Sequence, residues 1–155
     1  MNTSQQGLRA LMKSEAFRAD AYQDSVGKWT IGYGTIKLDG KPVQKGQRIT
    51  QERAAGALAE FCTGMEAALN TALLGADTKQ HEFDAFINLG YNIGTAGMIG
   101  SSALRLHVEG NKRAAADAFL LWNKGTINGV KQTIDGLTNR RVRERAMYLN
   151  GVYVM

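Results

Sequence analysis

Three residues near the start of the chain, Glu15, Asp24 and Thr30, bring two carboxylates and a hydroxyl across a change of sequence period. Upstream, Leu8, Leu11 and Met12 recur at helical spacing; downstream, Trp29-Thr30-Ile31 reads as a strand. A helix that ends at an acid and hands over to a turn and a hairpin aims both carboxylates and the hydroxyl into one cleft. Two carboxylates flanking a glycosidic bond are the equipment of a sugar hydrolase: one gives a proton to the leaving oxygen, the other acts on water or on the sugar itself. Taken singly, each residue has a plainer reading. Glu15 reads as an exposed helix-end acid, Asp24 heads D-S-V-G and closes a turn on its own backbone, and Thr30 is a good strand former. Their joint spacing with Gly32-Tyr33-Gly34 sets them apart.

The elements that must hold these residues follow from caps and periodicity. Ser4 caps a first helix to about Ser14, leaving Glu15 at its end. Phe17 to Tyr22 has no clear period and is expected to be irregular; short runs of Trp, Thr, Ile and Val punctuated by glycine and by Asp39-Gly40 then form a small sheet of two or three strands, the one β region expected. Pro42 belongs at its edge. Thr50 caps a long alanine-rich helix whose buried stripe is expected to be Ala54, Ala57, Leu58, Phe61, Met65, Ala68 and Leu69. At about 20 residues it spans roughly 30 Å, enough to join two lobes. Thr78 is read as the cap of the next helix, with Phe83, Phe86 and Ile87 inward. Ser101 or Ser102 and Asn111 start two short helices, residues 125–136 read as loop, and Thr138 starts the last helix with Val142, Ala146 and Leu149 inward.

A chain of 155 residues with 44% hydrophobic content buries one proper core. The formal charge of +5 points to an anionic partner: nucleic acid, a membrane surface or an acidic polymer. One cysteine, Cys62, excludes an internal disulfide and reads as a small buried hydrophobe. His81 and His107 have no partner at metal-ligand spacing, no phosphate-binding loop occurs, and neither metal nor cofactor is expected. Arg9 and Lys13 interrupt the N-terminal apolar residues, so no signal peptide is expected, and no apolar run approaches a membrane span. The basic run Arg140-Arg141-Val142-Arg143-Glu144-Arg145 is either a solvated helix face, with both leading arginines near Glu144, or a phosphate-reading helix.

The order Glu, eight residues, Asp, five residues, Thr, then Ile-Gly-Tyr-Gly resembles the signature of the phage-type lysozymes, the endolysin muramidases of glycoside hydrolase family 24. Gln80 to Gly94 is similar to that family's central helix, and Ser102-Ala-Leu-Arg, Trp122 and Gly136-Leu-Thr-Asn-Arg-Arg-Val-Arg-Glu resemble its later landmarks. The resemblance implies a mainly helical α+β lysozyme fold in one catalytic domain. A small β-containing N-terminal lobe (about 13–60) would join a helical lobe (61–155) through the long helix, with a cleft between and the first helix packed on the second lobe. It implies an enzyme that cuts the β-1,4 link from N-acetylmuramic acid to N-acetylglucosamine in peptidoglycan for host cell lysis. Glu15 would be the general acid, kept neutral by partial burial; Asp24 and Thr30 would hold the attacking water, with inversion. Arg140 would line the cleft near Glu15, and Thr35, Ile36, Tyr91 and Asn92 would face sugar. The protein would be a monomer made in the host cytoplasm, without membrane insertion, and released to the wall by a separate holin-type protein. A lytic transglycosylase shares substrate and fold but needs no activated water, and a basic nucleic-acid-binding module leaves the Glu-Asp-Thr spacing idle.

Overall fold

In the computed structural model, which describes residues 1–155, helix α1 (Gln5–Glu15) begins where the Ser4 hydroxyl accepts from Gly7 N–H, as the capping pattern predicts. Ser4 is also tied to the second half of the chain: its N–H and hydroxyl both donate to Asp84. α1 thereby packs against α3 (Gln80–Ile93), and its last residue is Glu15.

Phe17 to Tyr22 is more regular than its sequence suggests. Strand β1 (Arg18–Gln23) pairs antiparallel with β2 (Trp29–Gly32), Tyr22 opposite Thr30 and Gln23 opposite Trp29, with the register broken between Arg18 and Tyr22. That irregularity hides the strand from a period-two reading. β3 (Lys37–Leu38) and β4 (Lys41–Pro42) form a second small hairpin across Asp39-Gly40, with Pro42 on it as expected.

Thr50 caps α2 (Gln51–Ala72) by accepting from Arg53 N–H. Its buried stripe is Ala54, Leu58, Cys62, Met65 and Leu69; Phe61, expected inside, is 57% exposed. The same spacing rule fits two adjacent faces of an alanine-rich helix, and only one of them meets the core.

α3 starts one residue later than expected. Lys79 is the capping residue, with its N–H bonded to the Glu82 carboxylate, while the Thr78 hydroxyl turns away to the His107 ring. α4 (Thr95–Ile99), α5 (Ser102–Val108, capped by Ser101) and α6 (Lys112–Phe119, capped by Asn111) wrap around it. Residues 125–136, read as loop, instead hold a third hairpin, β5 (Lys124–Ile127) with β6 (Val130–Thr133), turning at Asn128-Gly129 with φ of 50° and 76°. Asn-Gly is the strongest short hairpin signal, and it stands in the sequence.

The last helix, α7 (Asp135–Asn150), starts before Thr138, whose hydroxyl instead accepts from the Asn123 side chain. Its buried face is also not the apolar one expected. Val142 is 52% exposed, and Arg141, Glu144, Met147 and Tyr148 face inward. Tyr148 joins Phe86, Phe119 and His107 in an aromatic cluster, and one core of 26 buried residues runs from Ile31 and Tyr33 on the β side to Met147 and Tyr148. Tyr153 secures the C-terminus by donating to Asp84, while Val152 and Val154 stay exposed. No helix is long and apolar enough to cross a membrane.

Candidate active site

Glu15 ends α1, and the chain leaves it through Ala16 at φ 54°, ψ 148°, a backbone region that L residues with a Cβ rarely occupy. That reversal sends the backbone into β1 while the Glu15 side chain stays behind, 18% exposed. Its Oε1 meets Arg140 Nη1 at 2.7 Å, an ion pair whose angles lie outside those of a hydrogen bond. Its Oε2 faces the other way: a Cβ on Gly34 would lie 3.8 Å from it and 3.8 Å from the Tyr91 ring. Gly34, at φ 82°, brings the backbone past the acid without a side chain in between. Glu15 is thus partly buried, with the Arg140 guanidinium beside it.

Arg140 is held on three sides. Its Nε donates to Glu144 Oε1 at 3.1 Å, and its Nη2 donates to the Asn88 carbonyl and side-chain oxygens, both at 3.1 Å. Glu144 is shared with Arg141, through Nε to Oε2 at 2.7 Å and Nη2 to Oε1 at 2.9 Å, and the Arg141 and Glu144 side chains are both 0% exposed. Arg141 further donates to Asn92 Oδ1 and the Trp122 carbonyl. Burial pushes the Glu144 carboxyl up to about 7, against the pull of both guanidiniums. The basic run is thus neither a solvated face nor a phosphate reader at these positions: its first two arginines are spent inside the fold, around one carboxylate.

Asp24 and Thr30 meet at the turn of the first hairpin: Asp24 directly follows β1, and Thr30 stands opposite Tyr22 on β2. Both are tied to Lys28: its N–H donates to Asp24 Oδ1 at 2.8 Å, and the Thr30 hydroxyl donates to its carbonyl at 3.0 Å. Val26 N–H also donates to Asp24 Oδ1. The turn-closing role expected of an Asp in D-S-V-G is therefore real, and it uses one oxygen. Oδ2 makes none of these bonds, and Thr30, buried on β2, has used its only proton, so its oxygen is left to accept.

Beside Glu15 opens a cleft of about 770 Å³, reaching from Gly34 and Tyr91 along α2 to Arg53. Thr35 and Ile36 line it. Tyr91 forms its inner wall, fixed by donating to the Tyr33 carbonyl at 2.6 Å and by an edge contact with Phe61. Burial, then the Glu15 charge, hold the Tyr91 hydroxyl protonated well above its ordinary range. Asn92 does not line this cleft; its side chain supports Arg141. Asn88, Arg141 and Glu144 were missed as site residues. A helical i, i+3 and i, i+4 reading links both arginines to Glu144, but exposure is the default expectation for charge, and only tertiary contact shows it buried.

The phage lysozyme family model matches residues 12–144. The endolysin of Salmonella phage P22 is 40% identical over 97% of this chain and 99% of its own length. Among solved structures, the endolysin from Escherichia coli O157:H7 phage FAHEc1 superposes with a TM-score of 0.94 at 44% identity, covering 100% of this chain and 98% of that one. The muramidase domain of SpmX from Asticaccaulis excentricus does so at 0.87 and 29% identity, covering 96% and 98%. Glu15, the first hairpin and the cleft therefore stand on a scaffold shared from end to end with phage endolysins, and the chain belongs to the phage lysozyme family.

Proposed function

We propose that the chain is an endolysin muramidase that hydrolyses the β-1,4 bond from N-acetylmuramic acid to N-acetylglucosamine in peptidoglycan by acid/base catalysis with inversion. The observation that carries this is the division of labour at Glu15: Oε1 is taken by Arg140, while Oε2 is turned toward Gly34 and the cleft. A proton on Oε2 is directed at the leaving oxygen, and the ion pair holds the carboxyl plane still while it is transferred. When the glycosidic C–O bond breaks, that proton goes to the departing sugar's hydroxyl and Glu15 is left as a carboxylate beside Arg140, which stabilises it.

A water on the hairpin side donates one hydrogen to Asp24 Oδ2 and the other to Thr30 Oγ1. Its lone pair then points at the anomeric carbon from the face opposite the leaving group. Asp24 takes the proton as the new C–O bond forms, so the β-linked substrate yields an α-anomer first. A lytic transglycosylase would leave the Asp24 and Thr30 acceptors without a use.

Synthesis in the host cytoplasm and release to the wall by a separate holin-type protein complete the reading, with a monomer as the acting species. The deciding measurement is proton NMR of the first product, recorded before mutarotation. An α signal at the new reducing end is expected, and Glu15→Gln should lose about 10²–10⁴-fold in rate while staying folded. An initial β signal removes the water-activating role from Asp24; an anhydro-muramic end makes the enzyme a transglycosylase.

A further inference from the structure

α1 is held at both ends, and both holds lead to α3. At its start the Asp84 carboxylate accepts four hydrogen bonds: Oδ1 from Ser4 N–H at 3.0 Å and Gln80 Nε2 at 2.9 Å, Oδ2 from the Ser4 and Tyr153 hydroxyls. At its other end Glu15 meets Arg140, and Arg140 donates to Asn88, one helical turn beyond Asp84. Asp84 and Asn88 are each 1% exposed. One face of α3 therefore seats the cap of α1 and, a turn later, the cation that meets its last residue.

Between these two seats little fixes how far α1 slides. Of its three buried residues, Gly7, Ala10 and Leu11, only Leu11 has a side chain larger than a methyl. Helices keep their register through ridges seated in grooves, and glycine and alanine raise almost no ridge. The close approach is made against Asp84 itself: a Cβ on Gly7 would lie 2.7 Å from Asp84 Cγ and 2.9 Å from either carboxylate oxygen. All four donors to Asp84 are uncharged, and its charge faces the positive end of α1. A buried carboxylate is a costly way to join two helices unless direction matters, and a fork of hydrogen bonds fixes distance and angle together. From Ser4 to Glu15 is roughly 16 Å of stiff helix, so an axial shift at the cap arrives whole at the acid.

We propose that Asp84 is a positioning residue for Glu15. Its hydrogen bonds to Ser4, with Gly7 seated against it, set how far α1 lies along α3 and so bring the Glu15 carboxyl onto Arg140. The proposal rests on the muramidase reading for what Glu15 does. No residue lining the cleft lies on α1, so loss of this hold moves the proton donor and leaves the sugar-facing walls in place. Its mark is a fall in kcat at constant KM.

Initial rates of reducing-end release from soluble peptidoglycan glycan strands, taken across substrate concentration, separate the two constants. Asp84→Ala should lower kcat about 10²-fold, the scale of a catalytic group displaced by about 1 Å, with KM held. Asp84→Asn keeps an acceptor for Ser4 N–H and should recover most of the rate. Gly7→Ala leaves every hydrogen-bonding group in place and improves helix propensity, yet should also lower kcat, because its methyl lifts α1 off Asp84. Leu104→Ala, a core truncation on α5, is the stability control: at an equal or larger loss of Tm its kcat should match wild type. A wild-type kcat in either folded variant, Asp84→Ala or Gly7→Ala, overturns the proposal, as does an equal fall in Leu104→Ala or a change confined to KM. Crystal structures of the variants read the placement without turnover. Glu15 should stand about 1 Å or more beyond its 2.7 Å from Arg140, and an unmoved pair overturns the proposal. A wild type that releases no reducing ends overturns the muramidase reading instead, and the Glu15–Arg140 separation still decides this one.

Discussion

Glu15 and Arg140 come from opposite ends of the chain and meet at 2.7 Å, with the guanidinium also anchored to Glu144 and Asn88. The acid's position is therefore set by α7 as much as by α1. Replacing Arg140 by Met, which keeps bulk and removes every one of these contacts, should lower kcat on peptidoglycan glycans about 100-fold, the scale of a misplaced catalytic group. Arg140→Lys keeps charge but not the fork and should fall between. A wild-type rate in Arg140→Met would show that Glu15 needs no clamp.

Glu144 is the one carboxylate paired with both the Arg140 and the Arg141 guanidinium. Glu144→Gln strands those cations and should cost about 3–5 kcal/mol in urea unfolding. The double variant Arg141→Met with Glu144→Leu removes both members of the inner pair and should recover most of that loss. Activity should not recover with it, since Arg140 still lacks one anchor. Equal destabilisation in single and double variants would contradict this account.

Ala16 holds a conformation that carries roughly 1–3 kcal/mol of strain in a residue with a Cβ. Ala16→Gly relieves it at an entropic cost of about 0.4–1 kcal/mol in the unfolded chain. The net expectation is a gain of about 1 kcal/mol, seen as a higher Tm. A lower Tm would mean that the Ala16 methyl packs more than it strains.

His107 is buried between the Thr78 hydroxyl at Nε2 and the Tyr148 hydroxyl at Nδ1. Burial, then the Lys112 charge, lower its pKa below 6.5, against Glu82 and Asp77, which raise it. Because the folded value is the depressed one, the unfolded chain binds the proton more readily. Stability from the neutral ring is full above pH 6.5 and is lost as pH falls toward the folded pKa, at up to about 1.4 kcal/mol per pH unit. Glu144, pushed up to about 7 by burial, adds a slope of opposite sign across the same window, so the measurement is the difference in urea midpoint between wild type and His107→Gln, which should narrow as pH falls from 7 to 5. A His107 ring resonance that titrates at 6.5 in the native protein would refute it.

What the sequence disclosed was local. Ser4, Thr50, Ser101 and Asn111 cap their helices as read, because a cap is a bond within four residues. Glu15, Asp24 and Thr30 are singled out by their spacing with Gly32-Tyr33-Gly34, which is equally local. Phe61 and Val142 were misplaced because periodicity gives a face without saying which neighbour it meets, and Glu144 was overlooked because its burial is decided by Arg140, Asn88 and the end of α1 together. The β5–β6 hairpin was legible in Asn128-Gly129, but its strands show no alternation: Val130 to Thr133 are all exposed.

That exposure has a practical side. A hairpin whose outer strand rests on nothing, turning at a two-residue tip, is a natural port for added sequence. A peptide or small domain spliced between Asn128 and Gly129 would ride outside the core. The enzyme could thus be given a new address on the cell surface while its cutting edge stays as it is.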